Sequence, residues 1–183
     1  GRHPRAAGAP TAPGAGGGAV TLPRIGVLEA CDDEGLFNFP LHPNQRTLLG
    51  AVEGPHEMHA WACGRQGGKT TLASLVLVHA AIFRGDLDAK MRKGQPRYCI
   101  AIANNKEQAR LGLNSARRFV EESPVLRPLL AEATEDELRF HLPRGARTVT
   151  KAFPCTARGA RGWTASHVLL DEFAHFIDSD GNS

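Results

Sequence analysis

The sequence predicts an α/β fold, a parallel sheet flanked by helices, on three observations. The short apolar run His59 to Cys63 enters a glycine-rich turn and then an apolar helical pattern from Leu72 to Phe83. Two further runs, Arg97-Tyr98-Cys99-Ile100-Ala101-Ile102-Ala103 and Ser166-His167-Val168-Leu169-Leu170, have the length and apolar content of buried strands. Between them, Ala109, Leu113, Ala116 and Val120 repeat at helical spacing. Strand, helix, strand, helix and strand in that order give parallel pairing through right-handed crossovers.

A chain of 183 residues, 42% hydrophobic and 22% charged, suits one domain with a sizeable core. The net charge of +3 is compatible with a nucleic-acid partner but does not argue for one. No apolar run is long enough to span a bilayer, and no signal-peptide core is seen near the start, so no membrane partner is expected. The chain opens on Gly1 rather than Met, which leads one to expect a fragment or a processed product. Its cysteines, Cys31, Cys63, Cys99 and Cys155, are widely separated and form no C-x-x-C pair, which favours reduced thiols in a cytoplasm. His56-Glu57-Met58-His59 is one residue short of the H-E-x-x-H metalloprotease pattern and reads as solvated or structural.

Taken in order, residues 1–21 are Gly, Ala and Pro with few bulky apolar side chains, so a disordered tail is expected before a folded unit over 22–183. Phe37 and Phe39 could offer a stacking face but suit the core better. Pro43-Asn44-Gln45 leads into the helical pattern Leu48, Leu49, Val52. The Gln45 amide could pair with both edges of an adenine or serve only as a helix-start residue, and the residues leave both readings open. After the apolar helix, residues 85–96 form a charged connection. Asn104 or Asn105 then caps a helix from Lys106 to about Glu122. Pro124 and Pro128 bracket a short turn. Glu137 to Leu142 alternates, turns at Pro143-Arg144-Gly145 and resumes at Thr148-Val149-Thr150, predicting a β-hairpin insertion.

Gly64-Arg65-Gln66-Gly67-Gly68-Lys69-Thr70-Thr71, between a strand and a helix, is the setting of a phosphate-binding loop. Glycines let successive N–H groups turn onto a phosphate, and the helix start adds its positive end. Lys69 is placed to reach the β- and γ-phosphates of ATP, and the Thr70 hydroxyl to ligate Mg²⁺. The usual G-x-x-x-x-G-K-[ST] spacing would put Cys63 at its first glycine. The run ending in Asp171-Glu172 supplies the carboxylates about a hundred residues later, at a strand's C-terminal end where open α/β sheets bind ligands. Asp171 would hold Mg²⁺, and Glu172 would orient and deprotonate the attacking water. The basic loop carrying Arg158 and Arg161 has three readings: charge for the transition state, a DNA-phosphate contact, or a solvated loop.

From about Ile25 to Phe176 these motifs, in this order, resemble the ATPase domain of large terminase subunits, the genome-packaging motors of tailed phages. The short loop with Arg65 after its first glycine looks like the deviant Walker A of that family, and Pro43-Asn44-Gln45 is similar to its adenine-reading segment. Gln108-Ala109, the hairpin and Arg161-Gly162 ahead of Val168-Leu169-Leu170-Asp171-Glu172-Phe173-Ala174 follow the family order. The resemblance implies an ASCE/RecA-like P-loop NTPase fold, ATP and Mg²⁺, and Asp171 and Glu172 as Walker B carboxylates. It implies Arg161 as a finger acting in trans, with Arg65 as a rival phosphate or sensor contact. Expected partners are double-stranded DNA, the portal protein and the small terminase subunit, in a homo-oligomeric ring within the host cytoplasm. The chain runs only to Ser183, so the sheet is expected to be incomplete at the C-terminus, without the coupling motif or an RNase H-like nuclease domain. Asp178 to Asn182 lacks the distal ligands of a calcium loop. A superfamily 2 helicase core and an inert nucleotide-binding remnant are the rival readings.

Overall fold

The computed structural model describes residues 22, 24–63, 67–92, 94–155 and 163–172. The expected tail 1–21, Gly64, Arg65 and Gln66 of the loop, Arg158 and Arg161, and the acidic segment after Glu172 lie outside these residues.

Two short helices, α1 (Val27–Asp32) and α2 (Pro43–Val52), precede the glycine turn, with Pro43 at the first position of α2, where its missing N–H is not needed. Helix α3 (Lys69–Phe83) starts at Gly68, whose left-handed φ of 73° is open to glycine without strain. Strand β1 (Arg97–Ala103) and helix α4 (Lys106–Glu122) follow, and the Asn105 side chain accepts the Gln108 N–H at 2.9 Å as the cap of α4. The remaining strands are β2 (Leu130–Ala133), β3 (Glu137–His141), β4 (Arg147–Pro154) and β5 (Ala165–Leu170).

The five strands lie in the order β2-β3-β4-β1-β5. Strand β1 pairs in parallel with both β4 and β5, while β3 pairs antiparallel with β2 and β4. The β3–β4 hairpin is therefore no appendage. Its second strand runs on to Pro154 and becomes the parallel neighbour of β1, with Ala101 beside Ala152.

One expectation fails. The run from His59 to Cys63 is not a strand: it carries no ladder, and among the described residues the sheet ends at β5. Its apolar character is genuine, since Trp61 packs against the core. The Trp61 indole N–H is nevertheless buried without a partner among the described residues. Burial produces the same residue pattern as a strand, but a strand also needs a neighbouring backbone.

Helices α3 and α4 cover one face of the sheet. Leu72, Leu75 and Val78 of α3 and Leu113, Ala116 and Val120 of α4 meet Cys99, Ala101 and Ala152 of the strands in one buried cluster. Phe37 and Phe39 pack edge-on against Phe119, with ring centroids 5.9 and 5.6 Å away, so both serve the core. The fully buried Arg97 donates to the Ala80 and Ala81 carbonyls, which satisfies the end of α3. All four cysteines are free thiols, and burial pushes the Cys31 thiol up to about 12. On the other face, Lys151 lies 4.7 Å from the Trp163 ring, and Val168 and Leu170 are half exposed.

Burial, and then the Arg84 and Arg97 cations, push the His167 imidazole down to about 4. Burial also lowers His79, whose ring nitrogen lies 2.7 Å from the Ile25 carbonyl. Both rings fold neutral, so the unfolded chain binds more protons once pH falls below the ordinary histidine value of about 6.5. Stability should be full above about pH 6.5 and decline toward pH 4. Urea midpoints measured across that range should fall, with a shallower slope for His167→Gln.

Candidate active site

Parallel pairing brings the C-terminal ends of β1 and β5 to the same edge of the sheet as the start of α3. The Asp171 N–H donates to the Ile102 carbonyl at 2.8 Å, which carries the ladder one residue beyond β5. The chain then bends, and Asp171 and Glu172 face the first turn of α3. The Thr70 hydroxyl donates to Asp171 Oδ2 at 3.1 Å, joining residues 101 positions apart. Lys69 Nζ lies 3.4 Å from the Cys63 carbonyl, so the lysine side chain folds back across the turn. A cleft of about 100 Å³ is lined by Thr70, Ala103, Gln108, Leu111, Asp171 and Glu172.

Helix α4 forms one wall of this cleft. The buried Ser74 hydroxyl is shared between the Thr70 carbonyl (2.6 Å) and the Gly112 carbonyl (2.8 Å), tying the start of α3 to the middle of α4. Gly112 lies close to α3, with its Cβ direction 3.9 Å from Thr70 Cγ2 and 4.0 Å from Ser74 Oγ, an ordinary packing distance. From the other side, Asp136 in the β2–β3 turn accepts Lys106 at 2.9 Å and Arg110 at 2.7 Å, which holds its carboxyl down at about 2. Gln108, one turn into α4, donates through Nε2 to Glu172 Oε2 at 3.0 Å. Glu172 itself has a left-handed φ of 54°.

The predicted site residues divide into four groups. Lys69, Thr70, Asp171 and Glu172 come together at one sheet edge. Gln45 stands beside them: its Oε1 accepts the His42 N–H at 3.0 Å, in the helix-start arrangement, while its Nε2 approaches Gly68. A Cβ on Gly68 would lie 2.9 Å from that nitrogen. Gly67 and Gly68 precede Lys69, and Thr71 continues the first turn of α3. Gly64, Arg65, Gln66 and Arg161 lie outside the described residues.

Gln108, Ser74 and Gly112 also belong to the site, although in the sequence Gln108 carries no role and Ser74 and Gly112 read as plain helix. The available signal was positional: a long polar side chain one turn past a capped strand end lies where ligands approach a parallel sheet.

The donor set fits a nucleotide with Mg²⁺. A magnesium ion takes one or two carboxylates, a hydroxyl and the oxygens of phosphate and water, which Thr70 and Asp171 begin to supply. Among the described residues no cluster of three or more His, Cys, Asp or Glu side chains forms an all-protein metal cage.

The family model described as terminase large subunit, T4likevirus-type, N-terminal, matches residues 62–180. The chain belongs to this family. The crystal structure of the large terminase of bacteriophage HK97 matches with a TM-score of 0.64 and 20% identity, over 82% of this chain and 31% of that one. At that identity the likeness is one of fold, and the chain spans about a third of the length of that terminase. No curated protein matches it. The family match favours the terminase reading over the superfamily 2 helicase.

In this terminase N-terminal region the turn tolerates little at Gly68. Gly68→Ala forces a side chain into left-handed backbone, which costs about 1–2 kcal/mol, and drives the Gln45 amide away. Urea denaturation should report a loss of about that size.

Proposed function

We propose that this chain is the ATP-binding and hydrolysing region of a viral DNA-packaging motor that drives double-stranded DNA into a procapsid. The observation that carries the reading is the Thr70–Asp171 hydrogen bond, which joins two halves of a phosphate site that lie 101 positions apart in the chain. Arrival of an extended phosphate chain at the start of α3 is favoured by the helix end and by the Lys69 ammonium once it swings off the Cys63 carbonyl. Mg²⁺, when bound, neutralises charge on the β- and γ-phosphate oxygens. Thr70 and Asp171, whose side chains meet, would hold it.

Glu172 takes the general-base role. Its carboxylate accepts a proton from the water that attacks the γ-phosphorus, the Pγ–O bond to the bridging oxygen breaks, and ADP and phosphate leave. Gly67, Gly68 and Thr71, with Gly64, Arg65 and Gln66, complete the phosphate cradle in this reading, and Gln45 sits beside the base pocket. Arg161 supplies positive charge to the transition state of a neighbouring subunit, with Arg158 and Arg65 as the rivals for that task. Double-stranded DNA, a portal protein, a small terminase subunit and a ring of identical subunits are the partners this function requires, and the host cytoplasm is its setting. Family membership and the meeting of the two motifs support these assignments.

The experiment is equilibrium binding and turnover of Mg-ATP by this chain. Lys69→Ala should weaken binding roughly 10–100-fold, the scale of one charge-assisted contact to phosphate. Glu172→Gln should bind within about twofold of wild type and lose roughly 10²–10⁴-fold in kcat. Binding indifferent to Lys69→Ala would sink the reading.

A further inference from the structure

We propose that Gln108 is the positioning residue of Glu172, fixing which carboxylate oxygen is presented to the attacking water. The inference rests on the ATPase reading above and deepens it. Gln108 Nε2 occupies Glu172 Oε2 at 3.0 Å, which leaves Glu172 Oε1 as the oxygen free to take a proton. The amide orientation follows from charge. With the amide turned over, its carbonyl oxygen would face an ionised carboxylate, two acceptors with no proton between them. The donor end therefore stays on Glu172 as long as Glu172 is charged.

Gln108 is itself held from three sides. The Asn105 cap fixes its backbone N–H at 2.9 Å. Ser74 pins α4 to α3 through the Gly112 carbonyl at 2.8 Å. Lys106 and Arg110 pin the same turns of α4 to Asp136. A contact so braced is preorganised, and little reorganisation is needed at the moment of reaction.

The other end of the amide shows that folding alone does not explain the residue. Gln108 Oε1 is buried and has no hydrogen-bond partner among the described residues. An orphaned buried acceptor is unfavourable, and Leu would serve better beside Leu111 and Ala103 in the cleft wall. The left-handed backbone of Glu172 adds a second unfavourable element at the same contact. Both are tolerated where one amide N–H meets one carboxylate oxygen, so that meeting is the reason for the glutamine.

The test compares wild type, Gln108→Leu, Glu172→Gln and the double variant of this chain by three readouts. These are the urea midpoint, the affinity for Mg-ADP, and the tightening of Mg-ADP by aluminium fluoride, which mimics the transferring phosphoryl group with its in-line water. Gln108→Leu should unfold at the same or a higher urea concentration and bind Mg-ADP within about twofold of wild type. It should lose roughly 10-fold or more of the fluoride-dependent tightening, the scale of one lost hydrogen bond to a charged group. In the Glu172→Gln background the same substitution should remove nothing further, because Gln108 acts through Glu172. Four results overturn the proposal: tightening retained in Gln108→Leu, stability and Mg-ADP affinity falling together as a structural role predicts, an additive loss in the double variant, or a wild type that binds Mg-ADP without any tightening. That last result leaves nucleotide binding intact, whereas Mg-ADP binding indifferent to Lys69→Ala removes the ATPase reading as well.

Discussion

A single hydrogen bond, Thr70 to Asp171, depends on nearly everything else in the fold being in place. For the hydroxyl at the start of α3 to meet the carboxylate after β5, the two strands β1 and β5 must run parallel and in register. Cys99 beside His167 and Ile102 beside Leu170 set that register. For α3 to lie over β1, the Leu72–Leu75–Val78 stripe must bury against Cys99 and Ala101, and α4 must close in until the Ser74 hydroxyl reaches the Gly112 carbonyl. A slip of one residue in β5 would turn Asp171 to the opposite face, since strand side chains alternate. The site is a consequence of register more than of any local loop geometry.

Helix α4 belongs to that constraint as well. Its buried face, Ala109, Leu113, Ala116 and Val120, is what fastens it to the sheet. Its first turns carry the polar contacts: the Asn105 cap, the Asp136 ion pairs and the Gln108–Glu172 bond. The ion pairs are solvent-exposed enough to be screened and are individually weak. Their role is to fix the rotation of α4 about its own axis more than to hold the fold together. One helix thus does two jobs through two faces, and the faces are distinguishable because apolar and polar residues are offset along the 3.6-residue repeat.

Much of this was legible in the residues. Helix α4 is bounded where the Asn105 cap and the apolar repeat put it, and β1 where the run Arg97 to Ala103 put it. Lys69, Thr70, Asp171 and Glu172 were readable because phosphate chemistry fixes both residue type and chain order. The short strand β2 was not, because Leu130 to Ala133 takes its extended shape from β3 and not from its own alternation. The run at Trp61 misled for the opposite reason: Trp61 packs against the core, but Ala60 and Ala62 are exposed and no neighbouring backbone completes a ladder among the described residues. Gln108 was legible only as a member of the motif order, because a glutamine on a helix has no evident partner in the sequence. Only the juxtaposition of two strand ends makes it neighbour a carboxylate 64 residues away.

The 101-residue separation between Thr70 and Asp171 also bears on when the site comes into being. Helices α3 and α4 close contacts between near neighbours in sequence, and such elements form within microseconds. Strand β5 must instead close a long loop, whose entropy has to be overcome before the pairing with β1 returns anything. A chain emerging from the ribosome therefore carries Lys69 and Thr70 well before it has the Asp171 carboxylate to set against them. Docking of β5 does two things in one event: it sets a strand beside β1 and it brings Asp171 to Thr70.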